Sequence, residues 1–196
     1  MTHNPDDLIM LFNDLFREQH RTVLVKGGEE PEYLPAAGPE GMARITFAHG
    51  FFASALHEVA HWCIAGAARR QQHDYGYWYC PDGRSALQQQ AFEQVEIKPQ
   101  AIEWLFSLAT GSRFHISVDN LAGDGAADEQ AFRQKVRAQA EHYLARRLPT
   151  RAQQFFNTLT AFYGTGEAFT QSWAQDRERI APCSPETDPS RTFQTL

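Results

Sequence analysis

At 196 residues, with 42% hydrophobic and 21% charged side chains, the chain can bury one core unaided, which excludes disordered and fibrous classes. A formal charge of -6 leaves no basic surplus for neutralising phosphates and excludes direct nucleic-acid binding as the main role. Three cysteines, Cys63, Cys80 and Cys183, with no CxxC pair among them, exclude a disulfide framework and a cysteine-based zinc site.

The first residues, Met1-Thr-His-Asn-Pro-Asp-Asp7, lack the basic stretch and apolar run of a signal peptide, and no apolar run is long enough to span a bilayer. The expectation is a cytoplasmic monomer away from membranes. Asp6 or Asp7 can cap a first helix over residues 8–18, where Leu8, Leu11, Phe12, Leu15 and Phe16 recur at helical spacing. Residues 22–25 read as a strand, Gly27-Gly28 as a turn, 32–34 as a strand pairing back on the first, and 43–48 as a third. A helix over 51–70 comes next, with Phe52, Ala55, Leu56, Val59, Cys63, Ile64 and Ala67 on one face and Arg69-Arg70 suited to its negative end.

An aromatic loop runs from His73 to Arg84, and Asp82 reads as the cap of the succeeding helix. Residues 85–108 read as helical, with Pro99 kinking the helix or starting a second one. Residues 114–118 form a strand candidate, and 128–147, 149–163 and 167–179 read as further helices. These elements predict an α+β single domain over residues 1–181, with a small, mainly antiparallel sheet of three or four strands packed with several helices. The tail over 182–196, with three prolines and few apolar residues, is expected to be loosely ordered.

Chemistry concentrates in His57-Glu58-Val59-Ala60-His61. Residues four apart on a helix share a face, so His57 and His61 can aim both imidazoles at one divalent ion. Glu58, about 100° further round, can stand beside the metal as a catalytic acid or base without being a ligand. Small residues (Ala53, Ser54, Ala55, Ala60, Ala65, Gly66) leave room around the pair. An open catalytic site usually needs a third protein ligand. In the next helix Glu93, Glu96, Gln100 and Glu103 form one polar stripe, while Phe92, Val95, Ile102, Leu105 and Phe106 form the buried side. Most such stripes are solvated faces. Glu96 borders the buried side most closely and is the expected third ligand, with Glu93 as the alternative.

Two histidines and a carboxylate suit two chemistries. With zinc they make a metallopeptidase site in which Glu58 activates water, and HExxH taken alone favours that hydrolysis. With iron(II) they make the facial triad of non-haem oxygenases. Spacing does not choose between them.

Three longer blocks carry more information: Phe47-Ala-His-Gly-Phe-Phe-Ala-Ser-Ala-Leu-His57-Glu-Val-Ala-His61-Trp-Cys-Ile-Ala-Gly, then Asp74-Tyr-Gly-Tyr-Trp-Tyr-Cys-Pro-Asp-Gly-Arg84, then Val95-Glu-Ile-Lys-Pro-Gln-Ala-Ile-Glu-Trp-Leu-Phe106. Together they resemble the elongation factor P hydroxylase family of gamma-proteobacteria, from about Leu8 to Tyr163 and most strongly over residues 43–106. The resemblance implies hydroxylation of the β-lysylated lysine of translation elongation factor P. It also implies a metal site of two histidines and one carboxylate, matching His57, His61 and Glu96, on a zincin-like metal helix. Hydroxylating an unactivated C–H bond demands a redox ion and dioxygen, so iron(II) is expected in the working enzyme, although zinc or another divalent ion can occupy purified protein. No His-x-Asp pair followed by a distant His is present, so 2-oxoglutarate is not predicted as a cosubstrate. A lysyl chain should be steered by carboxylates and gripped by aromatic faces. Asp74 and Tyr75 are the expected substrate-binding residues, and His49 can shape the pocket or orient a ligand.

Overall fold

The computed structural model describes residues 3–74, 85–117 and 129–179. Helix α1 (Pro5–His20) starts before its apolar run because Pro5 occupies the first turn, where a fixed φ fits and a missing N–H is not needed. Asn4, rather than Asp6 or Asp7, is the cap, accepting from the Asp6 amide at 3.1 Å. The two aspartates instead sit in the first turn, where their charge complements the helix dipole. Leu8, Leu11, Phe12 and Phe16 face the core.

Three strands come next: β1 (Thr22–Lys26), β2 (Glu32–Leu34) and β3 (Ala43–Phe47). Their order is β1-β3-β2. Strand β3 lies in the middle, parallel to β1 from Thr22↔Ala43 to Lys26↔Phe47 and antiparallel to β2 from Glu32↔Thr46 to Leu34↔Arg44. The sheet is therefore mixed, not mainly antiparallel, and β2 does not fold back on β1. The glycine pair explains the difference. Gly27 donates its amide to the Phe47 carbonyl at 2.9 Å, and the Gly28 carbonyl accepts from His49, so both extend the edge of β1 along β3 instead of reversing the chain. A side chain at Gly27 would lie 2.1 Å from a Thr46 methyl, so only glycine passes there. The outer edge of β1 is held by Asn13 of α1, which accepts from Leu24 N at 2.8 Å.

Helix α2 (Phe52–Ile64) ends well before the expected Arg70. Its terminal carbonyls are met from elsewhere: a single guanidinium nitrogen of Arg151 donates to the carbonyls of Trp62 (2.8 Å), Cys63 (3.1 Å) and Ala65 (2.6 Å). The same guanidinium lies 4.6 Å from the centre of the Trp62 ring. Arg69 and Arg70 fall in a separate 3-10 turn, Arg69–Gln71, after the chain has left the helix.

Helix α3 (Ala86–Thr110) is opened by a capping box between Ser85 and Gln88. The cap is thus Ser85, while Asp82 lies outside the described residues. Pro99 neither breaks nor restarts α3. The carbonyl it leaves without an amide partner is that of Val95, a solvent-exposed residue, so water can take its place. Helices α4 (Glu129–Ala145), α5 (Thr150–Tyr163) and α6 (Phe169–Arg179) complete an α+β domain. Residues 114–117 carry no strand. The backbone of Ser117 is bonded at both N–H and C=O to the side chain of Gln100, which occupies the groups a neighbouring strand would need. The aromatic loop beyond Asp74 and the tail over 182–196 lie outside the described residues.

Helix α2 packs on β3, α3 and α5, at the centre of the molecule. Trp62 and Phe155 join Phe12 and Phe16 in an aromatic cluster under the sheet, and Trp104 is fully buried on α3. Because Arg151 completes the end of α2 with charge-assisted bonds, Arg151→Ala is expected to lower stability by about 2–3 kcal/mol in denaturant titration. A change below about 0.5 kcal/mol would mean that water replaces the guanidinium without loss.

Candidate metal centre

On α2, His57 and His61 lie one turn apart with ring centres 4.6 Å apart and their Nε2 atoms 3.0 Å apart. Glu96 of α3 comes between them from the facing helix. Its Oε1 is 3.2 Å from His61 Nε2 and its Oε2 is 3.7 Å from His57 Nε2. The three side chains each offer one donor atom, all within 4.8 Å of one another. Donors bound at about 2.0–2.2 Å and roughly 90–110° apart around one ion would be separated by about 3.0–3.5 Å, so these residues fit a divalent cation.

Tautomers strengthen that fit. His57 donates its Nδ1 proton to Glu103 Oε2 at 2.8 Å, so a neutral His57 turns a lone pair on Nε2 toward His61 and Glu96. A lone pair and a carboxylate converging in a partly enclosed space need a cation between them, either a proton or a metal. The electrostatics agree. Loss of water around His57 opposes its protonation, but the charge and hydrogen bond of Glu103, helped by Glu96 and Glu58, raise its pKa well above the usual imidazole range. Burial likewise opposes the charge of Glu96, yet His61 and His57, with a bond from Gln100, hold its carboxyl well below the usual range.

The polar stripe of α3 is buried, not solvated. Glu93, Glu96, Gln100 and Glu103 are all buried, and Val95, expected inside, is exposed. The alternative ligand Glu93 turns away from the histidines, its carboxylate 3.3 Å from Lys135 Nζ on α4. Gln100 donates to Glu96 Oε2 at 3.3 Å and clamps Ser117 with both ends of its amide. Glu103 and Gln100 therefore orient the donor set, a role that sequence reasoning does not assign to either. The available signal is register: Glu103 lies seven residues after Glu96, two turns along the same face.

A cavity of about 480 Å³ opens over the cluster, with Tyr33, Glu58, Arg69, Arg70 and Asp74 among its lining. Glu58 borders it without belonging to the three-donor group, and burial, opposed by the neighbouring histidines, raises its pKa. Asp74 stands at the wall, paired with Arg69 and joined by two backbone bonds to Tyr33 of β2. Tyr75 lies outside the described residues. His49 is not brought to the cavity: it is exposed in the turn before α2, with φ 52, against Phe51 and 3.9 Å from Glu29. Cys63 is a buried free thiol whose pKa is raised by burial, which suits packing and not nucleophilic attack. Taken alone, this geometry could activate water or support redox chemistry.

The family model described as elongation factor P hydroxylase matches residues 11–173. The chain is also 50% identical over 165 residues to the elongation factor P lysine hydroxylase of Haemophilus influenzae, covering 84% of this chain and 92% of that protein.

Titration with cobalt(II) in a calorimeter separates the carboxylates. Glu96→Ala should abolish measurable binding and Glu93→Ala should leave it near wild type. Glu103→Ala should weaken it by about 10- to 100-fold, and Glu103→Gln, which still accepts from His57, by less. Equal losses for Glu93→Ala and Glu96→Ala would refute the three-donor assignment.

Proposed function

The chain belongs to the elongation factor P hydroxylase family, and from that membership we propose that it hydroxylates the β-lysylated lysine of translation elongation factor P at a metal held by His57, His61 and Glu96. The observation that carries this reading is the convergence of two imidazoles and one carboxylate on the floor of a cavity. The identity to a named lysine hydroxylase favours it over peptide hydrolysis. Iron(II) bound there would supply, together with dioxygen, the redox chemistry that an unactivated C–H bond requires and that zinc lacks.

The remaining work falls to the chain's own side chains. Helix α2 serves as the metal helix in the manner of zincin-like folds. Glu103 fixes the tautomer and ring orientation of His57, and Gln100 fixes the carboxylate plane of Glu96. Glu58, with a raised pKa and a position on the cavity wall, holds or accepts the proton exchanged during the reaction. A lysyl chain brings ammonium charge into a space bordered by Glu58, Glu96 and Asp74, whose carboxylates attract it. Tyr75, adjacent to Asp74 in sequence, would add an aromatic wall. A translation factor as substrate implies a cytoplasmic enzyme, and no described helix is long and apolar enough to cross a membrane.

Two measurements test the reading. Protein loaded anaerobically with iron(II) and then exposed to air with a chemical reductant such as ascorbate should add one oxygen atom to β-lysylated elongation factor P, read by mass spectrometry, the reductant supplying the two electrons that take the second oxygen atom to water. Full activity of the zinc-loaded protein would overturn the redox assignment. Glu58→Gln should retain cobalt affinity while turnover falls by roughly a hundredfold or more; unchanged turnover would reduce Glu58 to a bystander.

A further inference from the structure

A second cavity, of about 470 Å³, adjoins the first, and the two share Tyr33 and Arg70 as a common wall. Its lining includes His20, Arg21 and Arg70, and among the described residues that line it none is acidic. In a chain of net charge -6 that is a marked local reversal. Three described arginines have carboxylate partners: Arg69 has Asp74, Arg133 has Glu129 and Arg137 has Glu141. Among the described residues Arg70 has none, and its buried Nε lacks any hydrogen-bond partner there. Arg21 directs its guanidinium at the neutral carbonyl of Gly41 at 3.1–3.2 Å. Behind them Arg151, occupied with the end of α2, adds a further positive charge. The field of this group is felt nearby: burial and the charges of Arg151 and Arg70 lower the pKa of His20, and burial and Arg70 lower that of Arg151.

Guanidinium groups gathered without a carboxylate repel one another and leave a strong local attraction for an incoming anion. The two cavities differ in charge: Glu58, Glu96 and Asp74 border the first together with Arg69 and Arg70, whereas the described lining of the second holds arginines and no carboxylate. Tyr33 and Arg70 belong to the lining of both cavities, so a polypeptide that leaves the first on their side passes over the basic cavity. We propose that this cavity, centred on Arg70 with Arg21 beside it, docks an acidic segment of the protein substrate, whose carboxylates pair with the guanidinium groups while the modified lysine occupies the metal cavity. The inference rests on the reading of this protein as a protein-lysine hydroxylase.

The test compares wild type, Arg21→Gln and Arg21→Glu on two substrates: full-length β-lysylated elongation factor P and a short β-lysylated peptide without acidic residues. The KM for the full-length factor should rise about tenfold in Arg21→Gln and further in Arg21→Glu, with kcat, cobalt affinity and melting temperature unchanged. The peptide should be turned over alike by all three. Docking is also read without turnover, as the Kd of the zinc-loaded protein for the factor, which should weaken in the same order and depend less on salt. An unchanged Kd and KM would overturn the docking site, as would an equal loss on the peptide, which would tie Arg21 to the metal cavity. Suppression of wild-type binding by millimolar inorganic phosphate, with no effect of an acidic peptide, would replace it with a small-oxyanion site. Failure of wild type to hydroxylate either substrate, with Kd still sensitive to Arg21, would fall on the function and not on the docking surface.

Discussion

Four polar side chains buried along one face of α3 set the terms for the rest of the molecule. Placing Glu93, Glu96, Gln100 and Glu103 inside a helical interface costs several kcal/mol per unpaired charge, so each must find a partner there. Lys135 answers Glu93, the two imidazoles of α2 answer Glu96 and Glu103, and the backbone of Ser117 answers Gln100. Helices α2 and α4 and the segment after α3 are thereby fixed against one face, each through polar bonds that tolerate little displacement. The donor cluster is a product of that pairing: the bonds that offset burial of the stripe are the same ones that aim His57, His61 and Glu96 at one point.

Early termination of α2 has a comparable reach. With its last carbonyls held by Arg151, the chain leaves the helix at Ala65 and the Arg69–Gln71 turn comes round toward the sheet. There Tyr33 donates its hydroxyl to the Arg70 carbonyl at 2.9 Å, and its backbone pairs with Asp74. A helix continued to Arg70 would carry these residues away from β2 and leave the histidines without a wall. The cavity thus depends on an arginine from α5, nearly ninety positions further along the sequence, and a single side chain couples the hydrophobic centre around Trp62 to the shape of the site.

Polarity around the site is divided in a way that net charge conceals. Carboxylates gather at the cavity over the histidines, with Arg69 and Arg70 also in its lining, and the described lining beyond the Tyr33–Arg70 wall holds arginines without a carboxylate. Two adjoining cavities that differ in this way suit holding a cation in one and meeting an anionic surface at the other.

Local periodicity is enough to read the helices, the three strands and the pairing of His57 with His61 on one face, because all of these depend on residues a few positions apart. It also brings Glu96 forward as the acid nearest the buried side. Relations between distant segments lie beyond it: that β3 sits between β1 and β2, that α2 stops where Arg151 meets it, that Val95 faces water while the acidic stripe faces inward, and that Glu93 belongs to Lys135. The extent of α3 across Pro99 belongs with these, since it depends on the exposure of Val95 four residues earlier. A charged stripe has the same spacing whether it is solvated or buried, and only the partners brought by the tertiary structure, with the desolvation each must offset, determine which it is.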